Sequence, residues 1–185
     1  MPKLNRKPSS AQPDEWDILA AALNRYGVKH IAPGVRIDGP LPTDEDLFSQ
    51  LVTARSVRLR EAVIPLLLTH PELDACARAA IEKLFGEQRD RAMRHYLAAG
   101  ALQRMWSTRL ATDLGPRRPI QPAYLAELGL PPLDEDFGRT TLLALSNQEE
   151  GLYGYDAWVG YNSLMDLILA ELIDPSWGKM DARSR

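Results

Sequence analysis

The segment RDRAMRHYLAAGALQRMWSTRL, residues 89–110, carries five arginines and one histidine among apolar and small residues. Arg89 and His95 enclose five residues, and Arg25 and His30 enclose four. Histidine titrates near neutral pH and can move the proton of a ribose hydroxyl, while arginine can hold a phosphate and the charge that develops on it. Such a pair suits cleavage of an RNA phosphodiester. On a straight helix, however, residues six apart point about 120° away from each other, and a chain rich in arginine produces these spacings freely.

Other candidate chemistry is sparse. No Gly-rich phosphate loop, nucleophile elbow, His-Glu-x-x-His or dinucleotide fingerprint occurs. His30, His70 and His95 are far apart and Cys76 is the single thiol, so the sequence calls for no metal site and no cofactor. The runs TDEDL and LDEDF each set three acids before an apolar residue. They read as helix starts, where acids meet the partial positive charge of the helix N-terminus, in preference to paired catalytic acids.

The arginines allow a second reading. On one helix, Leu102, Met105, Trp106, Leu110 and Leu114 form an apolar stripe, and Arg91, Arg94 and Arg109 fall within about 60° of one another. With Arg117 and Arg118 at the helix end, and Arg55, Arg58 and Arg60 nearby, they make a candidate phosphate-contacting surface. The plainer reading pairs them with acids of the same chain. Residues 1–120 hold 18 Lys and Arg against 14 Asp and Glu, whereas residues 121–185 hold 4 against 11, so the two parts attract each other.

These residues must be positioned by helices. Residues 14–27 have acids in the first turn, apolar positions Trp16, Leu19, Ala20 and Leu23, and Gly27 as the stop. Residues 28–42 contain two glycines and three prolines and read as a loop with one short extended segment. Thr43 caps a helix, a second helix follows over Val57–Leu67 with Pro65 breaking or kinking it, and a third ends at Gly86. The arginine segment reads as one long helix over 87–114. A two-turn helix over QPAYLAELGLPP and a short helix beginning near Asp136 follow. The last helix, Asp156 to Ile173, has a wide apolar stripe and should be buried.

A chain of 185 residues with 45% hydrophobic and 25% charged residues fits one folded domain and excludes global disorder. No apolar run approaches the roughly 18 residues of a membrane span, and the N-terminus has no apolar core of a signal peptide. A cytoplasmic location without membrane association is the expectation.

Three segments, LFSQLVTARSVRLREAVIPLLLTHPEL, HYLAAGALQRMWSTRLATDLG and AELGLPPLDEDFGRTTLLAL, together resemble small bacterial helical proteins encoded beside minimal nucleotidyltransferases, in toxin-antitoxin or defence-like modules. The similar part covers about residues 43–172. The resemblance implies a protein that binds a nucleotidyltransferase, or is its substrate or regulator. The chain has no strand-borne Gly-Ser followed by paired aspartates, so it is not that enzyme. The Arg89–His95 spacing is also similar to that of HEPN ribonucleases, all-helical proteins whose Arg–His pair acts at a dimer interface. Tyr96 follows His95 directly here, where that family reads H-x-Y.

The expectation is an all-α, single-domain bundle of about seven helices over 14–173, its first helices stacked as an α-solenoid-like pair. A disordered basic tail, 1–13, and a mobile tail, 174–185, flank it. Its expected role is that of a non-enzymatic partner or regulator of another protein, with Trp158, Tyr161 and Met165 on the shared surface. The alternatives are a HEPN-like ribonuclease using Arg89 and His95, which would suit a homodimer, and a nucleic-acid-binding module using Arg91, Arg94, Arg109, Arg117 and Arg118.

Overall fold

A computed structural model of the chain describes residues 13–173, and the two expected tails lie outside the described residues apart from Pro13. The described residues form α-helices α1 (Glu15–Arg25), α2 (Asp44–Thr53), α3 (Val57–Glu61), α4 (Val63–Thr69), α5 (Asp74–Glu82), α6 (Gly86–Met105), α7 (Ser107–Leu114), α8 (Arg139–Tyr153) and α9 (Ala157–Ile173). Short 3-10 turns at Pro71–Leu73 and Glu135–Gly138 precede α5 and α8. No strand occurs among the described residues. The fold is all-α and forms one domain, as expected.

Local chemistry explains where the first helices start. Asp14 and Asp17 form a reciprocal capping box at α1, the Asp17 amide donating to Asp14 Oδ1 at 2.9 Å. Asp17 Oδ1 also accepts from the Gly34 amide at 2.6 Å, so the same residue folds the following loop back on its helix. That loop, 28–43, contains no regular element. Thr43 caps α2, accepting from the Asp46 amide at 3.3 Å.

The helix expected over 57–67 is split, but not by Pro65. The break lies upstream at Ala62, and Pro65 is the third residue of α4. In that first turn its missing N–H would have had no helical partner, so proline costs little there. Every residue of α4 from Val63 to Leu68 is buried, as befits a helix apolar on all sides. α4 packs most extensively on α6, and α2 on α5, an arrangement around α6 in place of a sequential solenoid stack.

α6 is the axis of the fold. Ala92, Met93, Tyr96, Leu97, Ala98, Ala99, Ala101 and Leu102 are all buried, and α4, α5, α8 and the Glu135–Gly138 turn pack around them. Small side chains over 98–101 allow close approach. The closest is Gly138, where a Cβ would lie 2.5 Å from the Ala101 carbonyl oxygen. Gly138 has φ +86, a conformation glycine adopts without steric cost.

Three further expectations are corrected. The long helix over 87–114 breaks at Trp106, whose backbone leaves helical values at φ −107, so Arg109 belongs to α7 and not to α6. The two-turn helix expected over QPAYLAELGLPP is instead a run of turns, with Tyr124 at φ 65, a left-handed conformation that does not fit inside a right-handed helix. The helix expected from Asp136 begins at Arg139 and is longer, since Asp136 and Phe137 are themselves left-handed.

The α9 helix closes the bundle against α8 and α4. Its far end is tied to the α1–α2 loop by Glu171, which lies 3.2 Å from His30 Nδ1 and accepts from the Lys29 amide at 3.4 Å. No helix among the described residues is long and apolar enough to cross a membrane.

Gly138 generates a test of this packing. Gly138→Ala combines a positive φ with a backbone clash and should cost about 2–3 kcal/mol, lowering Tm by about 4–12 °C for a domain of this size. Gly154→Ala has φ +72 but open space around it, and should cost only about 1 kcal/mol. Equal losses in thermal denaturation would show that the Ala101 contact does not constrain the fold.

Candidate functional site

The arginines of residues 89–118 are mostly engaged within the chain. Arg89 pairs with Glu127, lies 3.6 Å from Glu82 and covers the Tyr124 ring at 5.7 Å. Arg91 pairs with Glu87, and Arg109 with Asp113 at 2.9 Å, each one helical turn away. Arg94 is buried, with Nε 2.9 Å from Asp90 and Nη1 donating to Gln148 at 2.8 Å. Arg118 donates to the carbonyls of Pro71 and Glu72 at 3.2 and 2.9 Å. Arg117 is exposed. Arg60, on α3, closes the end of α2 by donating to the carbonyls of Ala54 and Arg55 at 2.7 and 2.9 Å. Arg55 and Arg58 are exposed.

Arg89 and His95 are not brought together. Arg89 faces Glu82, Glu127 and Tyr124, whereas His95 lies partly buried beside Arg60 and Arg91. Burial, and then the charges of Arg60 and Arg91, push its pKa down to about 4. His95 is therefore a neutral imidazole at pH 7, poorly suited to donate a proton.

Two buried carboxylates, which the sequence reading passed over, organise the polar interior instead. Asp74, 3% exposed, sits at the start of α5. Its Oδ1 accepts from the Tyr96 hydroxyl and from the Gln121 amide at 3.4 Å, and its Oδ2 accepts from Arg78 Nε and Nη2 at 3.2 and 3.0 Å. Burial, and then the hydrogen bond that its hydroxyl donates to Asp74, hold the Tyr96 phenol well above its ordinary pKa, so it remains a donor. Tyr124 packs edge-on against Tyr96 with centroids 5.5 Å apart, and its own phenol is raised by burial and by Glu82.

The second carboxylate, Glu149 on α8, accepts from the Tyr161 hydroxyl of α9 at 2.8 Å. Burial raises its pKa, partly offset by Tyr161 and Arg94, while Glu61 and Asp90 add to the rise. Tyr161 is raised well above its ordinary value by burial and then by Glu149. Tyr161 and Met165 are thus buried inside the bundle, and only Trp158 of the expected partner-binding trio is partly open.

Single exposed apolar residues, among them Phe85 and Phe137, stand elsewhere, but a group of them lies at the α8–α9 junction. Leu152, Tyr153, Tyr155 and Val159 are 58%, 41%, 50% and 56% exposed. The rings of Tyr153 and Tyr155 stack at 18° with centroids 6.1 Å apart. Gly154, in the left-handed region at φ 72, turns the chain between them. The available signal was the pattern LYGYD, two tyrosines flanking a glycine, which reads locally as a loop.

Among the described residues no cluster of three or more His, Cys, Asp or Glu side chains could hold a metal ion. Among the described residues the arrangement offers buried, satisfied polar pairs and exposed apolar side chains.

His95 makes a pH-dependent contribution. Its folded pKa is depressed below the unfolded value, so the stability it contributes is present above about pH 6.5 and is lost as pH falls through about 4. The loss is about 3 kcal/mol by pH 4. Glu149, with a raised pKa, acts in the opposite sense: its contribution is present below the ordinary glutamate pKa and lost as pH rises through the folded value. Urea denaturation of the wild type and His95→Gln between pH 7 and 4 should give curves whose difference shrinks by that amount. Parallel curves would place His95 in water.

No protein-family model matches this chain, and neither a curated protein nor a solved structure is similar to it.

Proposed function

We propose that this protein is a non-enzymatic binding partner or regulator of another protein, and that it makes contact through the α8–α9 junction. The observation that carries this reading is the group of Leu152, Tyr153, Tyr155 and Val159, exposed side by side in sequence with two of the rings already stacked. Tyrosine suits such a role because it offers a large amphipathic surface with few rotatable bonds, and stacking removes part of the ordering cost before binding.

Charge indicates the kind of partner. Residues 121–173 contain nine Asp and Glu and a single basic residue, Arg139. Glu150, Asp156 and Asp166 are exposed near the aromatic pair in the chain. An apolar surface rimmed by acids fits a protein segment that is apolar and basic. The same acidity opposes a nucleic-acid backbone, and of the arginines that would attract one, Arg91, Arg94, Arg109 and Arg118 are engaged with carboxylates, an amide or carbonyls, while Arg55, Arg58 and Arg117 are exposed. A nucleotidyltransferase from a two-gene module, the partner implied by the sequence resemblance, is the first protein to test.

The test is co-purification of the tagged full chain with a co-expressed minimal nucleotidyltransferase of the kind that the resemblance implies, and capture from its native host. A stoichiometric complex is expected. Tyr153→Ser combined with Val159→Asp should weaken it by about 30-fold or more, the scale of an interface hot spot, without lowering Tm. Arg91→Glu with Arg109→Glu should leave it intact. Retention of the partner by the Tyr153 and Val159 variant, or co-purification of RNA alone, would overturn the reading.

A further inference from the structure

A cleft of about 510 Å³ opens between α5 and the chain that follows α7. Its size lies within the range of small-molecule sites, about 300–1,000 Å³. Asp74, Arg78, Arg118 and Gln121 form its polar wall, and Ala75, Pro122 and Ala123 its apolar wall. It is separate from the α8–α9 junction and shares no residue with that surface.

Two guanidinium groups line the cleft, and each is held in place. Arg78 is fixed by Asp74 through Nε and Nη2, at 3.2 and 3.0 Å. Arg118 is fixed by the Pro71 and Glu72 carbonyls, again through Nε and Nη2. In both, the Nη1 amino group has no acceptor among the described residues. Asp74, itself buried and held by Tyr96 and Gln121, prevents Arg78 from rotating away. These donors are therefore ordered before any ligand arrives, which lowers the entropic cost of binding.

Charge then selects the ligand. Asp74 neutralises Arg78, and no carboxylate lies within ion-pair distance of Arg118 among the described residues, so the cleft carries a net charge of about one positive unit. A single negative charge balances it, whereas a second would be repelled by the fixed Asp74 carboxylate. We infer that this cleft binds a small organic monocarboxylate, which accepts hydrogen bonds from Arg78 and Arg118 and rests its apolar body on Ala75, Pro122 and Ala123.

Titration of the full chain with hexanoate, followed by backbone amide NMR, tests this assignment, with hexanol and inorganic phosphate as comparison probes. Hexanoate should give a saturable shift confined to residues 74–78 and 118–123, and hexanol should give none. Arg118→Gln should weaken hexanoate binding by about tenfold or more, the scale of a lost charge-assisted contact. Because Arg118 also anchors the Pro71–Leu73 turn, Ala75→Phe provides a second variant: Ala75 is exposed, and the ring should block the cleft without disturbing the core. Absence of a saturable shift in the wild type, binding unchanged in both variants, or phosphate binding as tightly as hexanoate would each overturn the inference.

Discussion

The burial of α6 along most of its length is the constraint on which the other elements depend. A helix surrounded on several sides can be packed closely only if its neighbours meet small side chains where they cross. The Ala98–Ala101 stretch supplies that surface, while Tyr96, Leu97 and Leu102 fill the space between crossings. Gly138 approaches Ala101 so closely that no side chain fits. The consequence reaches into the adjoining chain, because Asp136 and Phe137 are carried into the left-handed region at φ 46 and 54 on the way to that contact. Each such residue costs about 1–2 kcal/mol, and the packing of α8 and the 135–138 turn on α6 must offset it.

Polar groups inside the bundle are joined by tyrosines. Tyr96 of α6 reaches Asp74 of α5, and Tyr161 of α9 reaches Glu149 of α8. In both cases a neutral phenol donates to a buried carboxylate, and removing either partner would leave the other unsatisfied, which costs more than the bond itself contributes. These links fix which helix faces meet, a matter on which apolar contacts alone are permissive. Arginine plays the corresponding part nearer the surface. Arg89 reaches Glu127, Arg104 reaches Asp134 at 2.7 Å and Arg94 reaches Gln148, so three residues of α6 tie it to the acidic C-terminal third. Two of these ties are ion pairs between the basic and the acidic parts of the chain, while pairs such as Arg78–Asp74, Arg91–Glu87 and Arg109–Asp113 are local.

Legibility in the sequence followed the range of the forces involved. The starts of α1 and α2 were readable because the capping side chains lie within three residues of the amides they satisfy, and α9 because its apolar stripe is wide. The break at Trp106, the turns at 124–129 and the delayed start of α8 were not readable. Tyr124 is held in its left-handed conformation among Tyr96, Arg89 and the Arg78 carbonyl, and Gly138 is fitted to Ala101. Both contacts join residues distant in sequence. The candidate sites behave alike: Arg89 and His95 share a helix and a spacing but face different neighbours, whereas Asp74, Arg78, Arg118 and Gln121 meet without any local pattern.

That difference bears on where function resides in an all-helical protein of this size. Periodic stripes of apolar residues are committed to burial, and the residues that first attract attention on a helix, such as Tyr161, Met165 and Arg94, are consumed by the core and its polar links. The faces left available are set by segments that cannot continue a helix. Gly154 turns the chain so that Tyr153 and Tyr155 stack in the open, and the 115–123 segment leaves α7 to lay Arg118 and Gln121 against α5. Both places combine positioning by a packed interior with exposure at the tip, the combination that binding surfaces require.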